Sequence, residues 1–385
     1  MLKVEGIFIH GINGIFELGI KLNPGFNFIS GENGIGKTTI LECIASSFNR
    51  NTRNLRKNVL SNRGFWETHG FNDGEHFVRD FEIAEIEMQE KRGMPKFRNS
   101  IRSKEMVNFS VNRNIPNGFY GSQLDSIQSW FFRNYYNEQR ISEKRYSNLM
   151  IAQKCFKKLD SKIRFSRIEK RDIQNKDDSR MQKFRESADI YIETPSGEIP
   201  LNYLSSGYKS CLNILLGLIR QTEVTHAYKD VHTYDGVILI DELDLHLHPE
   251  WQAKLIEILR WLVPNAQVIA ATHSPHIIQA AYPNEVIPLK FENGLATVNQ
   301  KVYSKEYGFQ GWSIEEILQD VMGLKNTHSD LHYQLLREFN EALNNLDIRK
   351  ANYYYDKIDK LLHPDNHLRK IFKIQLSSLG GLNID

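Results

Sequence analysis

The chain has 385 residues, of which 41% are hydrophobic and 25% charged, a composition typical of a globular protein with two or three domains. Its formal net charge of +2 indicates no particular partner, and its three cysteines are too far apart in sequence for a metal or redox motif. No stretch approaches the ~18 uncharged apolar residues of a membrane span, and the first ten residues lack the apolar core of a signal peptide. We therefore expect a cytoplasmic protein with buried free thiols and no membrane contact.

The first predicted elements are three strands, at residues 2–10, 15–22 and 26–30, and a helix that ends near Phe48. Between the third strand and the helix, residues 31–38 match the phosphate-binding pattern of Gly, four free positions and Gly-Lys-Ser/Thr. The loop glycines allow the backbone to wrap a polyphosphate, whose charge then faces N–H groups and the helix N-terminus. A glycine-rich turn without a ligand is the alternative. The candidate nucleotide-binding residues are Gly31, Asn33, Gly34, Gly36, Lys37, Thr38 and Thr39.

Residues 49–186 differ in character from this start. Residues 49–64 hold five lysines and arginines and no acid, and short strand-like pieces follow at 76–78 and 107–111. From about 124 to 186 the chain is polar with helical spacing of its apolar residues, and residues 140–185 carry 15 lysines and arginines against six acids. The two basic stretches, 49–64 and 140–185, could bind a nucleic-acid backbone through charge alone. The alternative is a solvated arm whose charges are balanced elsewhere.

A second group of motifs begins after the strand-like residues 190–192. Ser205, Ser206 and Gly207 stand at the start of a helix predicted from about Tyr208 to Arg220, where hydroxyls and N–H groups could face an anion. In isolation, the same residues would be an ordinary helix cap.

Two apolar strands then end in polar residues. The strand at 237–240 leads into Asp241 and Glu242, at the strand end where ligands gather in open α/β sheets. Asp241 would hold Mg²⁺ and Glu242 would polarise an attacking water. The strand at 267–271 leads to His273, which could donate to a γ-phosphate or could be a satisfied loop histidine. His246 and His248 alternate like metal ligands, but no third ligand follows them, which favours packing beside Asp241.

The last part of the chain is predicted to be helical after Tyr303. Ser313 and Glu316 fit a capping box, and Gly323 fits a helix stop. Apolar residues such as Leu335 and Phe339 recur at helical spacing, as expected of a core or a partner-docking surface.

Together these motifs resemble the heads of ABC-type ATPases of the SMC, Rad50 and RecF kind. The motifs follow each other as in that family. Residues 31–38 are similar to a Walker A motif, 204–208 to a signature loop and 237–242 to a Walker B motif. Leu243-Asp244 is similar to a D-loop and His273 to a switch histidine.

The resemblance implies an α/β fold. Residues 1–48 and 187–300 would form a P-loop ABC-type ATPase head with a mixed, largely parallel sheet. Residues 49–186 would be a mostly helical basic insertion, and 301–385 a helical partner-docking region.

The resemblance also implies an ATPase that uses ATP and Mg²⁺. Lys37, Glu242 and His273 would be catalytic, and Thr38 and Asp241 would hold the metal. The protein would form a homodimer or higher oligomer, in which Ser205, Ser206 and Gly207 of one copy complete the nucleotide site of another.

The insertion lacks sustained heptads, and the chain shows no nuclease constellation of its own. It is most similar to the ATPase subunit of Septu and retron-associated Septu-like anti-phage systems, which implies a separate effector nuclease of the HNH type. One alternative is a RecF- or Rad50-like repair ATPase that binds DNA in an ATP-dependent way. Another is a nucleotide-binding scaffold with negligible turnover.

Overall fold

The structure is a computed structural model that describes residues 1–49, 52–83, 106–109, 123–136, 142–170, 188–225, 230–302, 306–378 and 380. The chain forms two compact units, Met1–Gly323 and Leu324–Asp385. The helices are α1 (Lys37–Asn49), α2 (Gln123–Tyr136), α3 (Glu143–Leu159), α4 (Ser206–Thr225), α5 (Pro249–Leu262), α6 (Pro275–Gln279), α7 (Ile314–Glu316, continued by a π-helical turn at Ile317–Val321), α8 (Asp330–Asn344), α9 (Ile348–Leu361) and α10 (Leu368–Ser378).

The first unit opens with an antiparallel sheet, the outer sheet. Its strands are β1 (Leu2–Ile12), β2 (Ile15–Lys21), β4 (Phe65–Asn72) and β5 (Glu75–Glu82), in the order β2-β1-β4-β5. β1 and β2 are joined at Asn13, whose φ of 48° suits the tight Asn-Gly turn of a hairpin. The strands predicted at 2–10 and 15–22 are thereby confirmed.

The central sheet has six strands in the order β13-β12-β3-β11-β10-β6, and all neighbours are parallel except β12 and β13. The mixed, largely parallel sheet expected from the sequence is present. Its strands are β3 (Phe26–Gly31), β6 (Met106–Phe109), β10 (Val237–Ile240), β11 (Gln267–Ala271), β12 (Val286–Glu292) and β13 (Leu295–Val298).

The central sheet is buried on both faces, which explains why β10 is a continuous apolar run. In β10, Ile238 and Ile240 lie in the core shared with α2–α6, whereas Val237 and Leu239 lie in the core shared with α1 and the outer sheet. Successive residues of β10 point to opposite faces, so apolar side chains are needed at all four of its positions.

The stretch 49–186 contributes to both of these sheets, through β4 and β5 in the outer sheet and β6 in the central one. It also adds a third, antiparallel sheet of β7 (Arg164–Lys170) with β8 (Ala188–Thr194) and β9 (Gly197–Pro200). The prediction of a helix through residues 164–170 is wrong, because this segment forms a strand that pairs with β8. Local periodicity does not reveal such a partner. Residues 84–105, 110–122, 137–141 and 171–187 lie outside the described residues.

The end of the chain is helical from α7 onwards, and Ser313 and Glu316 form the expected capping box. Phe309 and Ile317 are buried in the core beneath the central sheet, so the first unit extends to Gly323 rather than ending near residue 300. The second unit consists of α8, α9 and α10 around a core of its own, which includes Phe339 and Phe372.

Candidate nucleotide-binding site

The phosphate-binding loop joins the end of β3 to α1, in the predicted strand–loop–helix order. Gly36 has a φ of +106°, and a Cβ there would lie 2.7 Å from Cγ1 of Ile15, so only glycine fits. On its other side the loop meets the β1–β2 turn, where Nδ2 of Asn13 donates to Oγ1 of Thr39 at 3.2 Å. The loop is therefore held between its own helix and the outer sheet.

Lys37, the first residue of α1, is buried against this loop. Its Nζ donates to the carbonyl oxygens of Gly31 at 2.8 Å and Glu32 at 2.9 Å. Burial lowers the pKa of Lys37 to about 8, against the opposing charges of Asp244, Asp241 and Glu242. The ammonium is thus poorly solvated and is surrounded by groups that favour its charged form, which suits it to a polyphosphate.

Thr38 and Asp241 meet across the sheet, since Oγ1 of Thr38 donates to Oδ1 of Asp241 at 3.2 Å. Asp241 directly follows β10, and its N–H donates to the carbonyl of Phe109 at the end of β6. Burial raises the pKa of the Asp241 carboxyl, and the charges of Glu242 and Glu42 act in the same direction while the Thr38 hydrogen bond opposes it. The Thr38 hydroxyl and the Asp241 carboxylate fit Mg²⁺, because this cation prefers oxygen ligands. Its charge would also offset the repulsion between Asp241 and the neighbouring carboxylates.

Glu242 turns the chain at the end of β10. It adopts a φ of 47°, which is uncommon for a residue with a side chain and costs on the order of 1 kcal/mol. The next residue, Leu243, donates its N–H to the carbonyl of Ala271 at the end of β11. The Glu242 charge raises the pKa of Lys37, Asp241 and His273, against burial at Lys37 and His273 and together with it at Asp241.

The loop after β11 carries the predicted switch histidine. Asp244 accepts the Oγ1–H of Thr272 at 2.6 Å and the N–H of His273 at 3.0 Å, which fixes the backbone of this loop. Burial and the Lys37 charge lower the pKa of His273, so its imidazole is neutral at pH 7. Lys37, Asp241, Glu242 and His273 thus converge where β3, β10 and β11 end.

The Ser205–Gly207 segment, the signature turn, lies at the start of α4. Ser205 and Ser206 are exposed, whereas Gly207 is buried with no space for a Cβ, which would lie 2.7 Å from the Trp251 ring. At Gly207 the turn contacts the Trp251 ring and the carbonyl of His246. Oγ of Ser205 accepts the N–H of Tyr208, as a helix cap does, and the side chain of Ser206 is exposed.

The alternating histidines have local roles. Nδ1 of His248 accepts the N–H of Glu250 and caps α5, and His246 has a φ of 65° in the preceding turn. Among the described residues, no three histidines, cysteines, aspartates or glutamates are grouped as metal ligands.

The sequence interpretation missed two asparagines near the site. Asn108, on β6, lines a cavity of about 300 Å³ together with Thr38, Asp241 and Glu42. Asn13 reaches the start of α1 from the outer sheet. Only the Asn-Gly hairpin signal at Asn13 could have been recognised in the sequence, and nothing local marks Asn108.

The motif order agrees with comparisons with known proteins. Residues 26–279 match the family described as "AAA domain, putative AbiEii toxin, Type IV TA system". The chain is 35% identical over 415 aligned positions to the Septu protein PtuA of Bacillus thuringiensis, covering 99% of each chain. It is 26% identical over 167 positions to the Retron Ec83 probable ATPase of Escherichia coli, covering 42% of this chain and 29% of that protein.

Among solved structures, the chain is similar to an SMC head bound to the C-winged helix domain of ScpA. The TM-score is 0.48 at 14% identity, and the match covers 77% of this chain and 96% of that one. Across the described residues, none of the helices combines the length and the apolar character that crossing a bilayer demands.

Proposed function

This chain belongs to the AAA-domain family described as a putative AbiEii toxin of type IV toxin–antitoxin systems and to the ATPase family of the Septu protein PtuA, and we propose that it dimerises around ATP and regulates a separate effector nuclease in anti-phage defence. The observation that carries the proposal is the convergence of Lys37, Asp241, Glu242 and His273 at three neighbouring strand ends. Four groups so placed provide a cation for phosphates, an oxygen ligand for a metal, a base for water and a neutral donor.

The role of each residue follows from its surroundings. Lys37 releases the two loop carbonyls and binds the β- and γ-phosphates, while the N–H groups of the loop wrap the polyphosphate. Thr38 and Asp241 hold Mg²⁺, which neutralises phosphate charge when bound. Glu242 accepts a proton from the attacking water, and His273, neutral at working pH, donates a hydrogen bond to the γ-phosphate. The backbone of residues 31–39, including Gly31, Asn33, Gly34 and Thr39, completes the loop.

The signature turn acts on a second copy of the chain. Ser205 and Ser206 are exposed at a helix N-terminus, a suitable surface for an anion carried by another molecule. Although Ser205 caps its own helix, the exposure of both residues supports closure across a dimer.

The deciding experiment measures phosphate release and self-association of the same protein with and without ATP and Mg²⁺. We expect steady turnover that Lys37→Ala abolishes, and ATP-dependent dimers seen by sedimentation velocity. Binding without turnover would instead support the scaffold alternative, and monomers at every nucleotide concentration would contradict the dimer.

We place effector docking on the second unit. On α10, Ile371 and Ile374 are 47% and 68% exposed, and Lys370 and Lys373 beside them are also exposed. Apolar side chains flanked by cations suit an acidic segment with apolar anchors, which we assign to the effector, a nuclease of the HNH type. Cytoplasmic location follows from this role and suits the buried free thiols of Cys43, Cys155 and Cys211.

A second candidate function, ATP-dependent DNA binding, is favoured by one feature of α3. Lys154, Lys157 and Lys158 are exposed and recur at the i, i+3 and i+4 spacing of one helix face. Other cations of the basic stretch make internal contacts, since Arg145 pairs with buried Glu223 and Arg167 with Glu198. Filter binding over rising salt tests this function, and no retention at low salt contradicts it.

A further inference from the structure

The residues behind the signature turn form a continuous connection to the switch-histidine loop of the same subunit. The connection begins at Ser274, which is buried and donates its Oγ–H to Oε1 of Gln252 on α5. Ser274 also accepts the N–H of Ile277 and donates its own N–H to Oγ1 of Thr272. Thr272 in turn donates a hydrogen bond to Asp244, which also accepts the N–H of His273. Hydrogen bonds therefore connect Gln252 to the loop that carries His273.

Gln252 is fixed from its other side as well. Its Nε2–H donates to the carbonyl of Leu247 at 3.0 Å, within the turn that leads from Asp244 into α5. Only 9% of the residue is exposed. A buried amide whose oxygen and nitrogen both form hydrogen bonds has one orientation. The Gln252 side chain therefore links the start of α5 to the switch-histidine loop.

The neighbouring residue, Trp251, carries this constraint to the signature turn. Its ring lies against Gly207 closely enough to exclude a Cβ, and its centroid is 4.0 Å from that of Tyr208. Tyr208 is further held by a hydrogen bond from its hydroxyl to Asp160, the residue that ends α3.

A second contact runs parallel to the first. Ser210 is fully buried on the first turn of α4, and its Oγ–H donates to the carbonyl of Leu245 at 3.1 Å. The start of α4 therefore has two attachments, one to Trp251 on α5 and one to Leu245 in the turn before α5. A single contact would leave the start of α4 free to rotate about it, whereas two contacts restrict its rotation as well as its translation.

We propose that Gln252 and Trp251 are positioning residues that hold the signature turn in register with the switch-histidine loop, so that each subunit couples its own nucleotide site to the surface it offers to a neighbour's nucleotide. This inference rests on the proposed function, in which two copies share two nucleotides. Neither residue contacts the phosphate-binding loop or the metal ligands through the bonds described above. Their substitution is expected to alter association and not nucleotide capture.

The test compares three variants in a Glu242→Gln background, which is expected to retain bound ATP. Trp251→Leu removes the ring behind Gly207, and Gln252→Met keeps the side-chain length while it removes both hydrogen bonds. Trp261→Leu is the matched control, because Trp261 lies on the same helix with similar burial but packs on His232 and Lys158. Affinity for a fluorescent ATP analogue is measured at protein concentrations below dimerisation, and ATP-induced dimerisation is measured by sedimentation velocity.

We expect nucleotide affinity to stay at the parent value in all three variants. The dimerisation constant should weaken about tenfold in Trp251→Leu and Gln252→Met and remain unchanged in Trp261→Leu. Thermal melts of Gln252→Met provide the check on folding. The inference is overturned if both test variants dimerise like the parent, or if the control weakens as much as they do. If the parent protein does not dimerise when ATP is added, the proposed dimer itself is overturned, and this result is distinct from the two above.

Discussion

The fold changes the chemistry of Lys37, the cation of the candidate nucleotide site. Its ammonium is buried under the loop, and burial lowers its pKa to about 8, from an ordinary value near 10.5. Only the protonated form attracts a polyphosphate strongly, and a bound polyphosphate raises the pKa again. We therefore expect nucleotide affinity to be highest below pH 8 and to fall as the pH rises through that value.

The first prediction measures that dependence. Between pH 7 and pH 9, the affinity of the protein for a fluorescent ATP analogue should fall by about tenfold, because Lys37 of the free protein becomes mostly neutral. Lys37→Arg is the control, since a guanidinium stays charged throughout this range. The affinity of Lys37→Arg for the analogue will be lower at every pH. It should also change less between pH 7 and pH 9 than the affinity of the wild type. Equal slopes for the two proteins would exclude Lys37 as the titrating group.

The second prediction concerns Glu242, whose left-handed backbone turns the chain at the end of β10. Glu242→Gln should retain ATP binding and stabilise the closed dimer, while turnover falls about a hundredfold or more because the base for water is lost. Phosphate release and sedimentation velocity on the same samples give both quantities. Hydrolysis at the wild-type rate would remove Glu242 from the role of base.

At the scale of elements, one carboxylate joins three helices. Glu223, on α4, is buried and accepts hydrogen bonds from Nε1 of Trp130 and Nδ2 of Asn134 on α2, and from Nε of Arg145 and Nδ2 of Asn148 on α3. Four donors on two helices compensate the cost of burying this charge. Because α4 also carries the signature turn, the same residue connects the inserted helices to the head.

The third prediction follows from that burial. Glu223→Ala leaves Arg145 and three further donors without their shared acceptor and should lower the free energy of unfolding by about 3 kcal/mol. Urea unfolding monitored by tryptophan fluorescence measures it.

Glu198 provides the control for this experiment, because it also pairs with an arginine, Arg167, but in solvent. Glu198→Ala should leave the urea midpoint close to that of the wild type, since water screens exposed pairs. Similar shifts for the two variants would contradict the role assigned to burial.

At the scale of the whole molecule, the chain forms two compact units. The first, Met1–Gly323, holds all the residues of the candidate nucleotide site, and the second, Leu324–Asp385, exposes apolar side chains on α10. A separate core for the second unit means that its surface can be changed without disturbing the first.

The fourth prediction uses this separation. Ile374→Glu places a negative charge on the exposed face of α10 and should weaken binding of an acidic effector by at least about tenfold, with ATP turnover unchanged. Gln334→Glu, an exposed position on α8, introduces the same charge elsewhere in the unit and serves as the control. Co-purification of the proposed effector nuclease with each variant gives the measurement. Equal retention by both variants would place the docking surface elsewhere.

The sequence by itself determined the features that local order encodes. The strand–loop–helix around Lys37, the apolar strands that end at Asp241 and His273, and the capping box at Ser313 were all predicted from neighbouring residues and are present in the structure. Such motifs depend on turn chemistry and periodicity within about ten residues, so no distant partner is needed to specify them.

Only the tertiary structure decided which distant residues meet. Local periodicity favoured a helix where β7 pairs with β8, and nothing near Asn108, Glu223 or Trp251 in the sequence indicates the groups that they contact. Strand pairing and buried hydrogen bonds join residues that are tens to hundreds of positions apart, and their energy depends on burial that a local pattern does not contain. For that reason the order of the site motifs could be predicted from the sequence, whereas the framework that holds them could not.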